Sequence, residues 1–128
     1  MNSTFFAPQL YIPAGTTDIS FYNRAFGAAE LRRFSNEDGS IHVAEFSIGG
    51  TVFHLHEEMK GKAPFHPGRH DGVTAIIGLF VPDVDAVMQQ AIDAGAVCTE
   101  PAQDYDYGYR QGKFKDPFGH IWMIEKKI

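Results

Sequence analysis

Two histidines and one glutamate have the types and spacing to hold a metal ion or move a proton. His54 and His56 are two positions apart in a segment that reads as a β-strand, so their side chains would share one face of a sheet. Glu125 belongs to another predicted strand. Zinc accepts imidazole nitrogen and carboxylate oxygen, so a divalent metal is possible if the three converge. An ordinary polar strand face has the same composition. We therefore favour no cofactor and take His54 as a candidate general base.

Arg110 is the candidate anion-binding residue. It follows Tyr107, Gly108 and Tyr109, directly before a predicted strand. A guanidinium group there would clamp a carboxylate or phosphate through paired hydrogen bonds. It would equally pair with an Asp or Glu at the strand end and fix the loop, and both interpretations stay open. Tyr109 belongs to an aromatic loop that would either close over a cavity or pack at the surface.

The remaining reactive side chains are interpreted as structural. Cys98 follows the apolar residues Ala96 and Val97, which predicts a buried, inert thiol. As the single cysteine, it excludes an internal disulfide and is compatible with a reducing cytoplasm. His120 shares its strand parity with Trp122, which favours a structural hydrogen bond over catalysis.

Charge and hydropathy exclude several classes of partner. The chain has 16 acidic against 11 basic residues and no basic run, which disfavours nucleic acid and anionic membranes. The longest apolar run, 73–81, is about half of a membrane-spanning helix, and no signal peptide is visible. We expect one cytoplasmic domain, residues 1–128.

Residues 8–57 predict the order strand, helix, strand, strand, strand. The predicted elements are a strand at 8–14, a helix at 18–26 that Thr16, Thr17 or Asp18 would cap, and strands at 29–35, 41–48 and 51–57. Gly27 is placed to end the helix, and Gly49-Gly50 to form a hairpin turn.

Residues 73–126 repeat this order after a linker at 58–72. The predicted elements are a strand at 73–81, a helix from Asp83 to Gly95, a strand at 96–99, a loop at 100–109, and a hairpin of 110–115 with 120–126 around the turn Asp116-Pro117-Phe118-Gly119. Phe26-Gly27-Ala28 aligns with Ala94-Gly95-Ala96. The chain is therefore interpreted as an internal duplication with an α+β fold of two βαβββ half-repeats.

Alternation along the strands separates core residues from residues that would face a cavity. The predicted core positions are Leu10, Ile12, Phe53, Leu55, Ile77, Leu79, Trp122 and Ile124. The predicted cavity positions are Gln9, Tyr11, His54, His56, Ile76, Gly78, Phe80, Met123 and Glu125. Aromatic and aliphatic groups with a few polar anchors are typical of a small-molecule site, although this face would also suit a partner subunit.

The sequence resembles one known family along nearly its whole length, from about Pro8 to Lys126. The motifs that carry the resemblance are Ala25-Phe26-Gly27-Ala28, Val81-x-Asp83-Val84-Asp85, Tyr107-Gly108-x-Arg110 and Asp116-Pro117-Phe118-Gly119-His120-x-Trp122. Their order and spacing are similar to those of the glyoxalase / bleomycin-resistance / extradiol dioxygenase (vicinal oxygen chelate) superfamily. The last motif resembles its small dimeric bacterial branch.

This resemblance implies two cupped half-sheets around a cavity, helices on the convex side, and a homodimer that binds a small molecule. Metal-using members place one ligand on the first and last strand of each half. Those positions here are Ala7 (or Gln9), His54, Ile76 (or Thr74) and Met123, so the usual ligands are mostly missing.

Three functions follow as expectations. The first is a small-molecule-binding protein or lyase/isomerase-type enzyme that uses Gln9, Tyr11, His54, His56, Ile76, Phe80, Tyr109, Arg110, Met123 and Glu125. The second is a metal-free, ligand-sequestering protein of the bleomycin-resistance kind. The third is a divalent-metal enzyme using His54, His56 and Glu125.

Overall fold

The computed structural model describes residues 3–70 and 72–128. The predicted domain, 1–128, also includes residues 1, 2 and 71, which lie outside the described residues. The elements are β1 (Gln9–Ile12), α1 (Phe21–Phe26), β2 (Ala29–Ser35), β3 (Ile41–Ile48), β4 (Thr51–Glu57), a 3₁₀ turn (Pro67–Arg69), β5 (Ile77–Phe80), α2 (Val84–Asp93), β6 (Val97–Tyr105), β7 (Tyr109–Lys115) and β8 (Ile121–Lys127).

The strands form two four-stranded sheets with the same connectivity. Sheet 1 has the order β1-β4-β3-β2, and sheet 2 has the order β5-β8-β7-β6. In each sheet the first strand runs parallel to the last strand of its half, and the other neighbours are antiparallel. The predicted α+β fold of two βαβββ half-repeats is confirmed. The half-repeat bounds 8–57 and 73–126 and the linker 58–72 stay a prediction.

One hydrophobic core joins the two halves. The predicted core residues of β1, β4 and β8 are buried, and the two on β5, Ile77 and Leu79, are partly buried against the same cluster. The helix α1 supplies rings to both sheets, because Tyr22 contacts Phe53 at 5.3 Å between ring centroids and Phe26 contacts Trp122 at 4.8 Å. Each half therefore buries apolar surface against the other, and the two halves share one core.

Asp116 ties this core together at the turn between β7 and β8. Its buried carboxylate accepts hydrogen bonds from the Tyr22 hydroxyl at 2.6 Å and from the Trp122 indole at 3.0 Å. It also accepts from the backbone amides of Phe118 and His120. Burial, together with the charge and the hydrogen bond of Asp116, raises the pKa of Tyr22 well above its usual value. The tyrosine hydroxyl therefore stays protonated and donates.

The boundaries of three elements differ most from the predictions. The helix α1 begins at Phe21 rather than at residue 18, because the Asp18 carboxylate binds the amide and hydroxyl of Ser20 instead of a helix N–H. β5 begins at Ile77 rather than at residue 73, since its pairing with β8 begins at the Ile77–Trp122 register. β6 extends to Tyr105, beyond the predicted end at residue 99. Pairing with β7 resumes after the irregularity between Glu100 and Gln103.

Other local predictions are confirmed. The Asp83 carboxylate caps α2 by accepting from the Ala86 amide at 3.0 Å. The Gly119 amide donates to the Asp116 carbonyl at 3.0 Å and closes the predicted turn.

The prediction of a buried thiol at Cys98 is wrong, because this cysteine is exposed. It lies on β6, an edge strand of sheet 2. Within residues 3–70 and 72–128, no helix is both long and apolar enough to cross a membrane.

Candidate functional site

Each sheet has one face in the core and one face turned away from it, which we call the open face. Register places Gln9, His54 and Glu45 side by side on the open face of sheet 1, with Tyr11 and His56 next along the strands. The alternate residues, such as Leu10 and Leu55, are buried in the core. The open face of sheet 2 carries, by the same register, Gly78, Phe80, Gln111, Lys113, Met123 and Glu125.

The His54 ring is held on both sides. The Gln9 side-chain amide nitrogen lies 2.9 Å from Nδ1, and a Glu45 carboxylate oxygen lies 3.2 Å from Nε2. With Gln9 as donor, Nδ1 accepts and the ring proton is on Nε2, facing Glu45. Both nitrogens of His54 are therefore engaged. Glu45 was not among the predicted site residues, although the alternation along β3 places it on this face.

His56 presents a different arrangement on the same strand. Its Nδ1 donates to the Glu57 carbonyl oxygen at 2.6 Å, which places the ring proton on Nδ1. The ring lies between those of Tyr11 and His42, each 5.1 Å away between centroids. Its Nε2 accepts no hydrogen bond from the described residues. Among the described residues, no donor therefore occupies the lone pair of this nitrogen.

A chain of hydrogen bonds fixes Glu125 on the open face of sheet 2. Its Oε1 accepts from the side-chain amide nitrogen of Gln111 at 2.8 Å, and the side-chain Oε1 of Gln111 accepts from the Tyr107 hydroxyl. Phe80 lies on one side of β8 and Tyr109 on the other, and their rings meet at 6.1 Å. Gln111 was not predicted, although its alternation along β7 indicates the same face.

Arg110 does not join this group. It lies within β7 with the parity of the buried residues Gly112 and Phe114, which is the opposite of the parity of Gln111. Its guanidinium binds Asp104 and Asp85, both at 2.9 Å. The hydrogen bonds that its guanidinium donates to Asp104 and Asp85 raise its pKa. The geometry matches the strand-end pairing that the sequence left open, and it leaves no free guanidinium edge for an anion.

His120 has the structural contact that its position suggests. Its Nε2 donates to the carbonyl oxygen of Tyr11 at 2.8 Å. That carbonyl belongs to β1, which is the edge strand of sheet 1. The contact joins the start of β8 to the first half of the chain.

The residues implied for a metal do not fit one. Within residues 3–70 and 72–128, no group of three or more His, Cys, Asp or Glu side chains could hold an ion, so His54, His56 and Glu125 do not converge in one chain. Register places Gln9 beside His54, and it places Gly78, instead of the predicted Ile76 or Thr74, beside Met123. The Gln9 amide is bonded to His54, glycine offers no ligand, and a thioether is a soft one.

A cavity of about 850 Å³ lies between β1 and β5, each of which is one edge strand of its sheet. Its wall combines β1, β5 and the end of the linker, namely Pro8, Gln9, Leu10, Pro64, Phe65, Pro67, His70, Gly72, Val73, Thr74, Ala75, Ile76, Ile77, Gly78 and His120. Of the predicted binding residues, Gln9 and Ile76 line it. The part that Pro64, Phe65 and Pro67 play in the wall was not predicted, because a segment rich in Pro and Gly without periodicity is typical of a linker.

Comparison with known proteins identifies the family. The profile of the Glyoxalase/Bleomycin resistance protein/Dioxygenase superfamily matches residues 16–124. The chain belongs to this superfamily. The resemblance seen in the sequence is therefore confirmed at the level of the superfamily, and membership of the branch ending in Asp-Pro-Phe-Gly-His-x-Trp stays a prediction.

Individual relatives agree with this assignment. An uncharacterised protein of Mycobacterium bovis is 34% identical over 125 residues, covering 95% of this chain and 82% of the relative. The structure of the At5g48480 gene product of Arabidopsis thaliana is similar at a TM-score of 0.73 and 26% identity, covering 98% of this chain and 100% of that one. TioX from Micromonospora sp. ML1 has a TM-score of 0.67 and 25% identity, covering 98% and 97%. These names state no ligand.

Proposed function

We propose that this chain binds a small organic molecule in the cavity between β1 and β5. The observation that carries the proposal is the cavity itself, because both half-repeats and the linker build its wall. Apolar groups such as Phe65 and Ile76 dominate the wall, while Gln9 and His120 supply polar anchors. A cavity of this size, largely apolar with few polar groups, is typical of small-molecule sites.

Binding without turnover is the form of this function that the geometry favours. Both ring nitrogens of His54, the predicted general base, are engaged by Gln9 and Glu45. A base needs a free lone pair within reach of the substrate proton. The arrangement supports a metal-free, ligand-sequestering protein of the bleomycin-resistance kind over a lyase or isomerase that uses His54.

If the chain does turn its ligand over, His56 is the better candidate for the base. The hydrogen bond from Nδ1 to the Glu57 carbonyl holds the tautomer that leaves Nε2 open. His56 is adjacent along the sheet to Tyr11, whose neighbour Gln9 lines the cavity. A ligand that extends from the cavity along β1 would reach this nitrogen.

A cytoplasmic homodimer is part of the proposal. Large apolar side chains are exposed at the N-terminal segment, where Phe5 is 72% and Phe6 is 99% exposed, and on the open face, where Phe80 is 58% exposed. A second copy would remove such surface from water. The location rests on the single cysteine, which is compatible with a reducing compartment. The acidic balance supports a partner other than nucleic acid or an anionic membrane.

The first experiment is a ligand screen by thermal shift, followed by product analysis. A ligand that binds the folded chain alone raises its melting temperature in a concentration-dependent way. We expect stabilisation by apolar organic molecules, no product by mass spectrometry after prolonged incubation, and loss of the shift in Ile76→Glu, which places a charge in the wall. Ile92→Glu, at an exposed position on α2, is the matched control that keeps the shift.

Two results would contradict the proposal. An Ile76→Glu variant that binds as tightly as the parent chain would place the ligand elsewhere. A product formed by the parent chain would contradict binding without turnover, and its formation at the same rate in His56→Gln would exclude His56 as the base.

A further inference from the structure

Glu125 is a charged side chain buried on the open face of sheet 2. It is 8% exposed, although its register position between β5 and β7 would suit a hydrophobic residue. One oxygen, Oε1, accepts a hydrogen bond from Gln111, and Gln111 is held in turn by the Tyr107 hydroxyl. These contacts fix the carboxylate in one orientation. A buried carboxylate costs free energy unless its oxygens are paired.

The second oxygen of Glu125 lies above Gly78, a residue of the cavity wall. A Cβ atom added at Gly78 would lie 2.8 Å from Oε2, so this oxygen occupies the space above the glycine where any other residue has its side chain. Gly78 itself lines the cavity between β1 and β5. Oε2 accepts no hydrogen bond from residues 3–70 and 72–128. Since every fully enclosed side-chain oxygen and nitrogen there has a partner, Oε2 is also reached by solvent.

The surroundings of this oxygen suit a positive charge. Phe80 is the register partner of Glu125 on β5, and its ring lies 6.1 Å from the ring of Tyr109 between centroids. Aromatic faces attract an ammonium group. The neighbouring cation on the same face, Lys113, is already paired with Glu100 at 2.8 Å. An anionic ligand would be repelled by the carboxylate.

We propose that Glu125 binds the ammonium group of a ligand whose apolar body fills the cavity. The ligand class is therefore a primary amine attached to a largely apolar, ring-containing skeleton. The amine would donate to Oε2 above Gly78 and contact the rings of Phe80 and Tyr109. This inference rests on the proposed cavity function and adds the charge of the molecule bound there.

Three probes that share a naphthalene ring and differ in charge distinguish the contribution of Glu125 from binding in the cavity. They are 1-naphthylmethylamine, the neutral 1-naphthylmethanol and the anionic 1-naphthoate, titrated into the full chain by calorimetry. A hydrogen bond to a charged group predicts that the amine binds about tenfold more tightly than the alcohol, and the naphthoate more weakly than both. In Glu125→Gln the amine should lose this advantage, while the affinity for the alcohol stays within about twofold of the parent value.

Two further variants keep the test decisive. Glu37→Gln removes one negative charge at an exposed turn, and it should leave the preference for the amine unchanged. Gly78→Ala places a methyl group where the ammonium would sit, and it should weaken the amine alone by about tenfold even if Glu125→Gln folds poorly.

The outcomes distinguish the two proposals. Equal binding of amine and alcohol, or an amine preference that survives in both Glu125→Gln and Gly78→Ala, overturns the assignment of Glu125 and leaves the cavity function standing. Failure of the amine to bind at millimolar concentration overturns the assignment as well. Failure of the alcohol in addition overturns the cavity function.

Discussion

The turns at 36–39 and 116–119 have the same backbone hydrogen bonds and opposite roles. In each, the glycine amide donates to the carbonyl of the first residue at 3.0 Å, and the first amide donates to the carbonyl of the residue after the glycine at 2.8 Å. Asn36 heads the first turn and is exposed, and its amide contacts Ser40 and Glu57. Asp116 heads the second turn and is buried against Tyr22 and Trp122.

The comparison shows that the same turn sequence pattern occurs once at an exposed site and once at a buried site. Asn or Asp at the first position and glycine at the fourth are what a tight turn needs, whichever surface it meets. The second turn also receives the linker, because the Gly68 amide donates to the Phe118 carbonyl at 3.2 Å. This turn therefore contacts the part of the linker that lines the cavity. Stability should depend strongly on the second turn and weakly on the first.

The largest difference is expected between Asp116→Ala and Asn36→Ala. Removing the Asp116 carboxylate leaves several buried donors without a partner and should cost about 4 kcal/mol of unfolding free energy. Asn36→Ala removes exposed hydrogen bonds and should cost less than about 1 kcal/mol. Urea denaturation measures both. Equal losses would show that the two turns contribute alike.

A smaller difference is expected between Gly119→Ala and Gly39→Ala. Both glycines have a positive φ, at 96° and 86°, so the backbone strain of alanine is common to the two variants. A Cβ at Gly119 would lie 2.6 Å from the Gly68 amide nitrogen, whereas a Cβ at Gly39 meets nothing within 4 Å. Gly119→Ala should therefore be destabilised by about 2 kcal/mol more than Gly39→Ala. Similar melting temperatures in the two variants would contradict the close contact between turn and linker.

The smallest effect is expected from Glu58→Gln in the linker. The Glu58 carboxylate accepts from the amide and ring of His66 and from Arg69. Burial raises the pKa of Glu58. The hydrogen bonds from His66 and the charges of His66 and Arg69 lower it by a larger amount, so the net shift of the pKa is downward. Because the pKa of Glu58 is lower in the folded state, its ionised form stabilises that state at pH values above the ordinary glutamate pKa. This stabilisation is lost as the pH falls through the lowered pKa of the folded state.

The variant should therefore lose about 1 kcal/mol of unfolding free energy at neutral pH and converge with the parent chain as the pH falls through the lowered pKa of Glu58. Denaturation at a series of pH values measures the convergence. Glu37→Gln, on the exposed first turn, is the control with no expected pH-dependent difference. A constant gap between Glu58→Gln and the parent across the series would exclude the ionised form of Glu58 as its cause.

Much of the fold was predictable because strand alternation and turn chemistry are local. Leu10, Leu55 and Ile124 were assigned to the core from parity alone, and they are buried. Asp83 was assigned as a helix cap, and it accepts the Ala86 amide. The length of β6 was not predictable, because Pro101 and the polar residues after Glu100 read as a loop, while pairing with β7 holds them in a strand.

The candidate site was predictable only in part. Parity identifies Gln9, His54 and Glu125 as open-face residues, because a strand alternates between its two faces whatever surrounds it. Parity contains no information on the partners of a side chain. Two contacts depend on residues far apart in the chain: Gln9 and Glu45 engage the two ring nitrogens of His54, and Asp85 and Asp104 pair with Arg110.

The sequence by itself determined the two βαβββ half-repeats, the core positions, the turns and the superfamily, since each of these is encoded within a few neighbouring residues or in their order. The tertiary structure alone decided that Asp116 is the buried link between the halves, that the linker walls a cavity beside β1 and β5, and that Glu125 faces the space above Gly78. These features arise where strands and loops from distant parts of the chain come into contact. The burial and the hydrogen-bond partners of a side chain are set only once those contacts have formed.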